Sequence, residues 1–85
     1  MRTIILDPNA LDDLVWWVKT NKKIAQRIIK LIRVSAKDPF SGIGKPEPLK
    51  YELQGAWSRR INHEHRLVYE VTKSNIRILA CRYHY

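Results

Sequence analysis

The sequence predicts an α+β fold: an N-terminal strand, an αα-hairpin, then antiparallel strands forming one small sheet, in the order β-α-α-β-β-β. Three observations carry this expectation. Two stretches with apolar residues at helical intervals stand back to back between Asp7-Pro8 and Asp38-Pro39. Residues 57–85 are instead rich in β-branched, aromatic and arginine residues, with turn residues between the runs. A short apolar stretch, Thr3-Ile4-Ile5-Leu6, precedes the first helix. With 85 residues in all, one domain spanning 1–85 with one modest core is expected. A chain this size buries only about 60–65% of the surface it exposes when unfolded, so its stability margin is thin and a partner chain would help.

The first helix begins at Asp7-Pro8. Asp7 can cap the free N–H groups and Pro8 suits the first helical position. Leu11, Leu14, Val15 and Val18 follow at helical spacing and define an inward face. Asp12 and Asp13 are placed in the first turn, where the helix dipole favours anions. Trp16 and Trp17 are adjacent, so at most one points straight into the core; the other belongs to a rim or an interface. Thr20-Asn21 breaks the pattern and offers a new cap. A second helix runs over about 22–36, with Ile24, Ile28, Leu31, Ile32 and Ser35 at helical intervals. It stops at Asp38-Pro39, because the residue before proline avoids the helical region.

The next stretch, residues 39–50, carries three prolines and two glycines and is expected to be a loop. Glu47 stands in it between Pro46 and Pro48. The prolines stiffen the backbone, so the carboxylate hangs on a strut between Lys45 and Lys50.

Three antiparallel strands follow. The first carries Trp57 to Ile61, the chain turns at Asn62-His63-Glu64, and the second runs from His65 to Val71. A one-residue slip would move every side chain to the other face. Only one register gathers Trp57, Ile61, Leu67, Tyr69 and Val71 on a core face. That register leaves Ser58, Arg60, Arg66 and Val68 on the opposite face. Two arginines then stand side by side, an arrangement that costs a few tenths of a kcal/mol or more; they are either two solvated surface residues or a pair with an anion between them. In the last strand Ile78 and Ala80 fall on one face, Leu79 and Cys81 on the other. Both are apolar, so the pattern leaves open whether His84 shares a face with Arg60 and Arg66.

Composition narrows the function. The chain is 45% hydrophobic, with 16 basic against 8 acidic residues and a formal charge of +8. A globular protein with a polyanionic partner is indicated: RNA, DNA, a membrane surface or an acidic protein. Helix two has no acid between Asn21 and Lys37. Lys23, Arg27, Lys30 and Lys37 line one face of it, a stripe suited to phosphates. No apolar run approaches the ~20 residues of a membrane span, and the opening six residues are too short for a signal peptide. The one cysteine, Cys81, excludes an internal disulfide and fits a reducing cytoplasm. Its apolar neighbours suit a small buried hydrophobe.

No cluster has metal-ligand spacing, and neither a serine elbow nor a phosphate-binding glycine loop is present. No cofactor is expected. What remains outside the helices is one strut-mounted carboxylate, one late histidine and several cations. That set suits cleavage of RNA, whose 2′-hydroxyl is an internal nucleophile. A carboxylate can take the 2′ proton, and a histidine, with reference pKa near 6.5, can protonate the leaving 5′ oxygen. Arginine forks can hold the charge developing on the phosphate.

Four ordered motifs add a resemblance: K-P-E-P-L-K from Lys45, W-S-R-R-I from Trp57, E-H-R-L-V-Y from Glu64 and A-C-R-Y-H-Y from Ala80. Together they resemble the YoeB toxins of bacterial toxin–antitoxin pairs, a branch of the RelE-like superfamily. The likeness is close over the last half of the chain and rests on strand–helix–helix order before it. It implies a ribosome-dependent mRNA endonuclease with Glu47 as general base, His84 as general acid and Arg66 stabilising the phosphate. Lys50, Arg60 and Tyr85 are implied to assist; Arg59, Lys23, Arg27 and Lys30 are further candidates for holding RNA. The implied partners are mRNA in the ribosomal A site, the ribosome, and a small acidic antitoxin. An operator DNA is implied only in complex with that antitoxin, self-association would give a homodimer, and no membrane is involved. Departures at Tyr51-Glu52, Gln54-Gly55-Ala56 and His63 touch none of the proposed catalytic positions. The competing readings are a non-catalytic nucleic-acid-binding co-repressor and a gyrase-directed toxin on the same scaffold. Neither needs an acid–base pair.

Overall fold

The computed structural model describes residues 1–49 and 55–83. The fold is α+β as expected. Strand β1 (Thr3–Leu6) leads into helix α1 (Pro8–Thr20) and helix α2 (Lys22–Lys37), followed by β2 (Glu47–Pro48), β3 (Ala56–Arg60), β4 (Arg66–Val71) and β5 (Asn75–Ala80). The strands form one five-stranded sheet in the order β1-β5-β4-β3-β2. Its β1–β5 pair is parallel and the rest are antiparallel. β2 lies within the segment expected to be loop. A two-residue strand between glycine- and proline-rich stretches carries too little alternation to betray itself.

Helix α2 is built as the sequence indicates. Asn21 Oδ1 accepts from Ile24 N–H at 3.3 Å, and Asp38 closes the far end. Ile28, Leu31, Ile32 and Ser35 are buried, with Ile24 packed against them. Helix α1 is rotated from the expected face. Ala10 and Trp17 are buried and Leu14 is packed at the core's edge, while Leu11, Val15 and Val18 stay 48%, 44% and 48% exposed. The small Ala10 allows close approach to the sheet at Cys81, whose Sγ lies 3.6 Å from Ala10 O. Asp7 occupies the N-cap position without capping. Its carboxylate accepts from Arg77 Nη1 at 2.9 Å, a salt bridge across to β5. Asp12 and Asp13 fall beyond the first turn. Asp13 Oδ2 instead accepts from Cys81 N–H at 3.0 Å.

The β3–β4 register is the expected one: Trp57 pairs with Tyr69, Ser58 with Val68, Arg59 with Leu67 and Arg60 with Arg66. The face towards the helices carries Ile61, Leu67, Tyr69, Ile76 and Ile78 in the core, with Trp57 and Val71 at its edge. In β5 the expected grouping of faces fails. The ladder shifts between Val68 and Tyr69, so Tyr69 pairs with Ile78 and Val68 with Ala80. Leu79 is the extra residue of a bulge, and it moves Ala80 to the face opposite Ile78. Cys81 lies just past the strand, buried against α1. Burial, then Asp13, pushes its thiol up to about 12, as befits a packing residue rather than a nucleophile. Among the described residues no helix is long and apolar enough to cross a membrane.

Candidate active site

Glu47 is placed by pairing rather than by the stiffness of its loop alone. It sits opposite Ser58 in the β2–β3 ladder, and Ser58 sits opposite Val68. Glu47, Ser58, Val68 and Ala80 therefore form one row across the sheet, on the face turned away from the helices. One step along β4, Arg66 reaches back to Glu47, with Nη1 3.3 Å from Oε1. The two side chains are 26% and 57% exposed. An exposed pair joined by one long contact is worth about 0–1 kcal/mol, so either partner is free to exchange it for a better ligand. Glu47, Leu49, Ser58, Arg66 and Val68 line a small cleft of about 70 Å³. Ser58 Oγ is buried there without a partner among the described residues. Arg60 stands exposed beside Arg66 on the same face.

The remaining candidates separate. Lys50, His84 and Tyr85 lie outside the described residues. Lys23, Arg27 and Lys30 are exposed on α2, as a phosphate-facing stripe requires. Arg27 is partly committed: its Nε donates to Ile61 O at 2.5 Å and its Nη2 to Arg60 O at 3.1 Å. These bonds tie α2 to the end of β3.

Arg59 corrects the expectation that it holds RNA. It points to the core face between Trp57 and Ile61 and is 0% exposed. Its guanidinium donates to Tyr69 Oη at 3.2 Å, Ile43 O at 2.7 Å, Asp38 O at 2.5 Å and Ser41 O at 2.8 Å. Tyr69 Oη in turn donates to Pro39 O at 2.7 Å. Burial raises the Tyr69 phenol above its ordinary range, with the Arg59 charge acting against it. Arg59 thus folds the 38–44 loop onto the sheet, and that loop delivers Glu47. Gly44 is needed in it. Its φ is +82°, and a Cβ there would meet Arg59 Cβ, Arg60 O and Leu31 Cδ2 at 3.2 Å each.

Sequence reasoning also missed the residues that hold the end of β5 and the chain just after it. Asn9 Nδ2 donates to Leu79 O at 3.0 Å, Trp17 Nε1 donates to Cys81 O at 2.8 Å, and Asp13 accepts from Cys81. Arg82 lies over the Trp16 ring at 3.6 Å. Adjacent tryptophans on an otherwise small helix were the available signal. Trp17 is the core residue and Trp16 the rim residue.

Comparison with known proteins decides the family. A model of the YoeB-like toxin of bacterial type II toxin–antitoxin systems matches residues 6–85. The chain belongs to the YoeB-like toxin family. Toxin YoeB of Mycobacterium bovis is 52% identical over 85 residues, covering 100% of both chains. The structure of a YoeB dimer from Staphylococcus aureus superposes with a TM-score of 0.90 at 44% identity, covering 99% of this chain and 98% of that one. A YoeB–YefM complex from the same organism superposes with a TM-score of 0.88 at 44% identity, covering 100% and 99%. The YoeB family fold therefore accounts for both the helix pair and the sheet. Among the described residues no group of three or more His, Cys, Asp or Glu side chains could hold a metal.

Proposed function

We propose that this toxin is a ribosome-dependent endoribonuclease that cuts mRNA without a metal. The observation that carries the reading is the Glu47–Arg66 pair, 3.3 Å apart in a cleft beside Arg60. A carboxylate and a guanidinium so placed can serve the two sides of a phosphodiester. Arg66 exchanges Glu47 for a phosphate oxygen, and the freed carboxylate accepts the 2′-hydroxyl proton. O2′ then attacks phosphorus, the P–O5′ bond breaks, and His84 protonates the departing O5′. The products are a 2′,3′-cyclic phosphate and a 5′-hydroxyl. Lys50, Arg60 and Tyr85 hold the RNA around this centre. The exposed stripe of Lys23, Arg27 and Lys30 supplies a salt-sensitive contact to ribosomal or messenger phosphates.

An acidic antitoxin is the expected inhibitor. The +8 charge supports it, and a YoeB relative forms a complex with YefM. The test is incubation with programmed ribosomes and mRNA, with the ends of the fragments mapped. We expect cyclic-phosphate and 5′-hydroxyl ends, no cut where the nucleotide 5′ to the scissile bond is 2′-deoxy, and no cut in the presence of the antitoxin. Cleavage of the 2′-deoxy substrate would overturn the mechanism. Equal cleavage by the antitoxin complex would overturn the inhibitory role.

The exposed face of α1 supports self-association. Leu11, Val15 and Val18 recur at helical spacing, and Val18 shares an apolar depression with Ile29 of α2, itself 41% exposed. A second copy covering this stripe would remove apolar surface from water at about 25 cal/mol per Å². Val15→Glu is expected to shift the protein to a monomer in sedimentation at micromolar concentration. An unchanged size distribution would place any dimer interface elsewhere.

A further inference from the structure

We infer that His65 is a positioning residue: it clasps the backbone at Tyr83, the residue immediately before the proposed acid His84. The inference deepens the ribonuclease reading and rests on it for the role of His84.

His65 lies at the entrance to β4, next to Arg66, and is 8% exposed. Its ring stands edge-on to Trp17, with centroids 4.8 Å apart, and lies 5.6 Å from the Tyr83 ring. Its Nδ1 accepts the Tyr83 backbone N–H at 2.7 Å. Only an unprotonated Nδ1 can accept, so the ring carries its proton on Nε2, which faces Glu64 Oε2 at 3.9 Å. The neighbouring Arg66 N–H donates to Tyr83 O at 2.8 Å. Both backbone groups of Tyr83 are thus bound by two consecutive residues, His65 before β4 and Arg66 at its start. This matters because Tyr83 has a φ of +64°, a left-handed conformation that a tyrosine holds only when its surroundings impose it.

The clasp completes a series. Asn9, Asp13 and Trp17 of α1 grip the backbone at Leu79 and Cys81. Trp16 carries the Arg82 guanidinium. His65 and the Arg66 amide take Tyr83. The tie reaches the residue before the proposed general acid. The same dipeptide, His65-Arg66, supplies the tie with its first residue and the phosphate-facing guanidinium with its second. The clasp on Tyr83 is thereby made by the same short stretch of chain that presents the Arg66 guanidinium.

His65→Leu removes the acceptor while keeping an apolar filler against Trp17. His65→Asn keeps an acceptor close to the position of Nδ1. Cleavage on programmed ribosomes and amide hydrogen exchange at Tyr83 are measured on the full-length toxin, with circular dichroism as the check on folding. A chain ending at Tyr83 marks complete loss of the acid. We expect His65→Leu to lower kcat about 10²-fold, the size of effect that misplacing a reacting group brings. KM should be little changed, and the Tyr83 amide should exchange fast. His65→Asn should recover most of kcat and slow the exchange again. A merely structural histidine would give neither the split between kcat and KM nor rescue by asparagine. Wild-type kcat in a folded His65→Leu protein would overturn the inference. So would a Tyr83 amide that already exchanges like a free peptide in the wild type. A wild-type protein with slow Tyr83 exchange and no cleavage would instead sink the ribonuclease reading.

Discussion

Replacing Glu47 by glutamine is expected to slow mRNA cleavage on ribosomes by about 10²–10⁴-fold, the range typical for loss of one well-placed acid or base. Glutamine keeps the size of the side chain and can still meet Arg66, but it cannot take a proton from a 2′-hydroxyl. Arg66→Ala is expected to cost a comparable factor by another route. It removes the fork that holds the phosphate and the charge developing on it. Neither change should unfold the protein. The Glu47 side chain is 57% exposed, and the bridge it makes is a single 3.3 Å contact. Such surface pairs contribute about 0–1 kcal/mol. The melting temperature of each variant should therefore stay close to that of the wild type while the rate collapses. The measurement is the initial rate of fragment formation at saturating ribosomes, alongside a thermal melt. A folded Glu47→Gln protein cutting at the wild-type rate would take Glu47 out of the mechanism.

The placing of Arg60 and Arg66 on one face was legible because burial sets the face: a one-residue slip of β3 on β4 would take Ile61 away from Leu67 and Tyr69, which the core holds together. The proximity of Glu47 to Arg66 could not be read in this way. It depends on β2, two residues long, pairing with β3 so that Glu47 faces Ser58. Nothing in a proline-flanked glutamate announces a ladder. The four motifs pointed to Glu47 as a residue of interest, but the pairing that brings it to Arg66 is tertiary.

Helix α1 was misread for a related reason. Leu11, Val15 and Val18 outweigh Ala10 in hydrophobicity, and a periodicity argument follows the larger residues. The sheet instead takes the side that can come close. Ala10 meets Cys81, and Trp17 spans the gap to the chain beyond β5. Polar residues on that side found partners at long sequence separation, Asp13 with Cys81 and Asp7 with Arg77. Local rules had assigned both aspartates to the helix's own N–H groups and dipole. The bulge at Leu79 is likewise invisible in an unbroken apolar run, and it decides which face Ala80 joins.

Arg59 carries the largest expected effect on stability. Sequence reasoning grouped it with the substrate-holding arginines, although alternation along β3 puts it on the core face between Trp57 and Ile61; arginine is almost never fully buried unless it is paired. It is buried here by being paired with backbone. Three loop carbonyls and the Tyr69 hydroxyl accept from it, and Tyr69 holds a fourth carbonyl, that of Pro39. Removing the guanidinium strands several of these acceptors at once. A buried polar group left unsatisfied costs about 1–3 kcal/mol, and hydrogen bonds to a charged donor lie at the upper end. Loss of several makes about 3–5 kcal/mol a reasonable total for Arg59→Ala, a large part of the 5–15 kcal/mol that holds a typical domain. In a chain of this size that corresponds to a fall in melting temperature of about 15 °C or more. Arg59→Lys discriminates best. Lysine restores the charge but has no planar fork to reach Asp38 O, Ser41 O and Ile43 O together. We therefore expect Arg59→Lys to melt almost as early as Arg59→Ala, and its loop to exchange amide hydrogens faster than the sheet. If Arg59→Lys melts within a few degrees of the wild type and yet fails to cut mRNA, the network is not what the arginine is for. Arg59 would then belong to the substrate surface with Arg60 and Arg66.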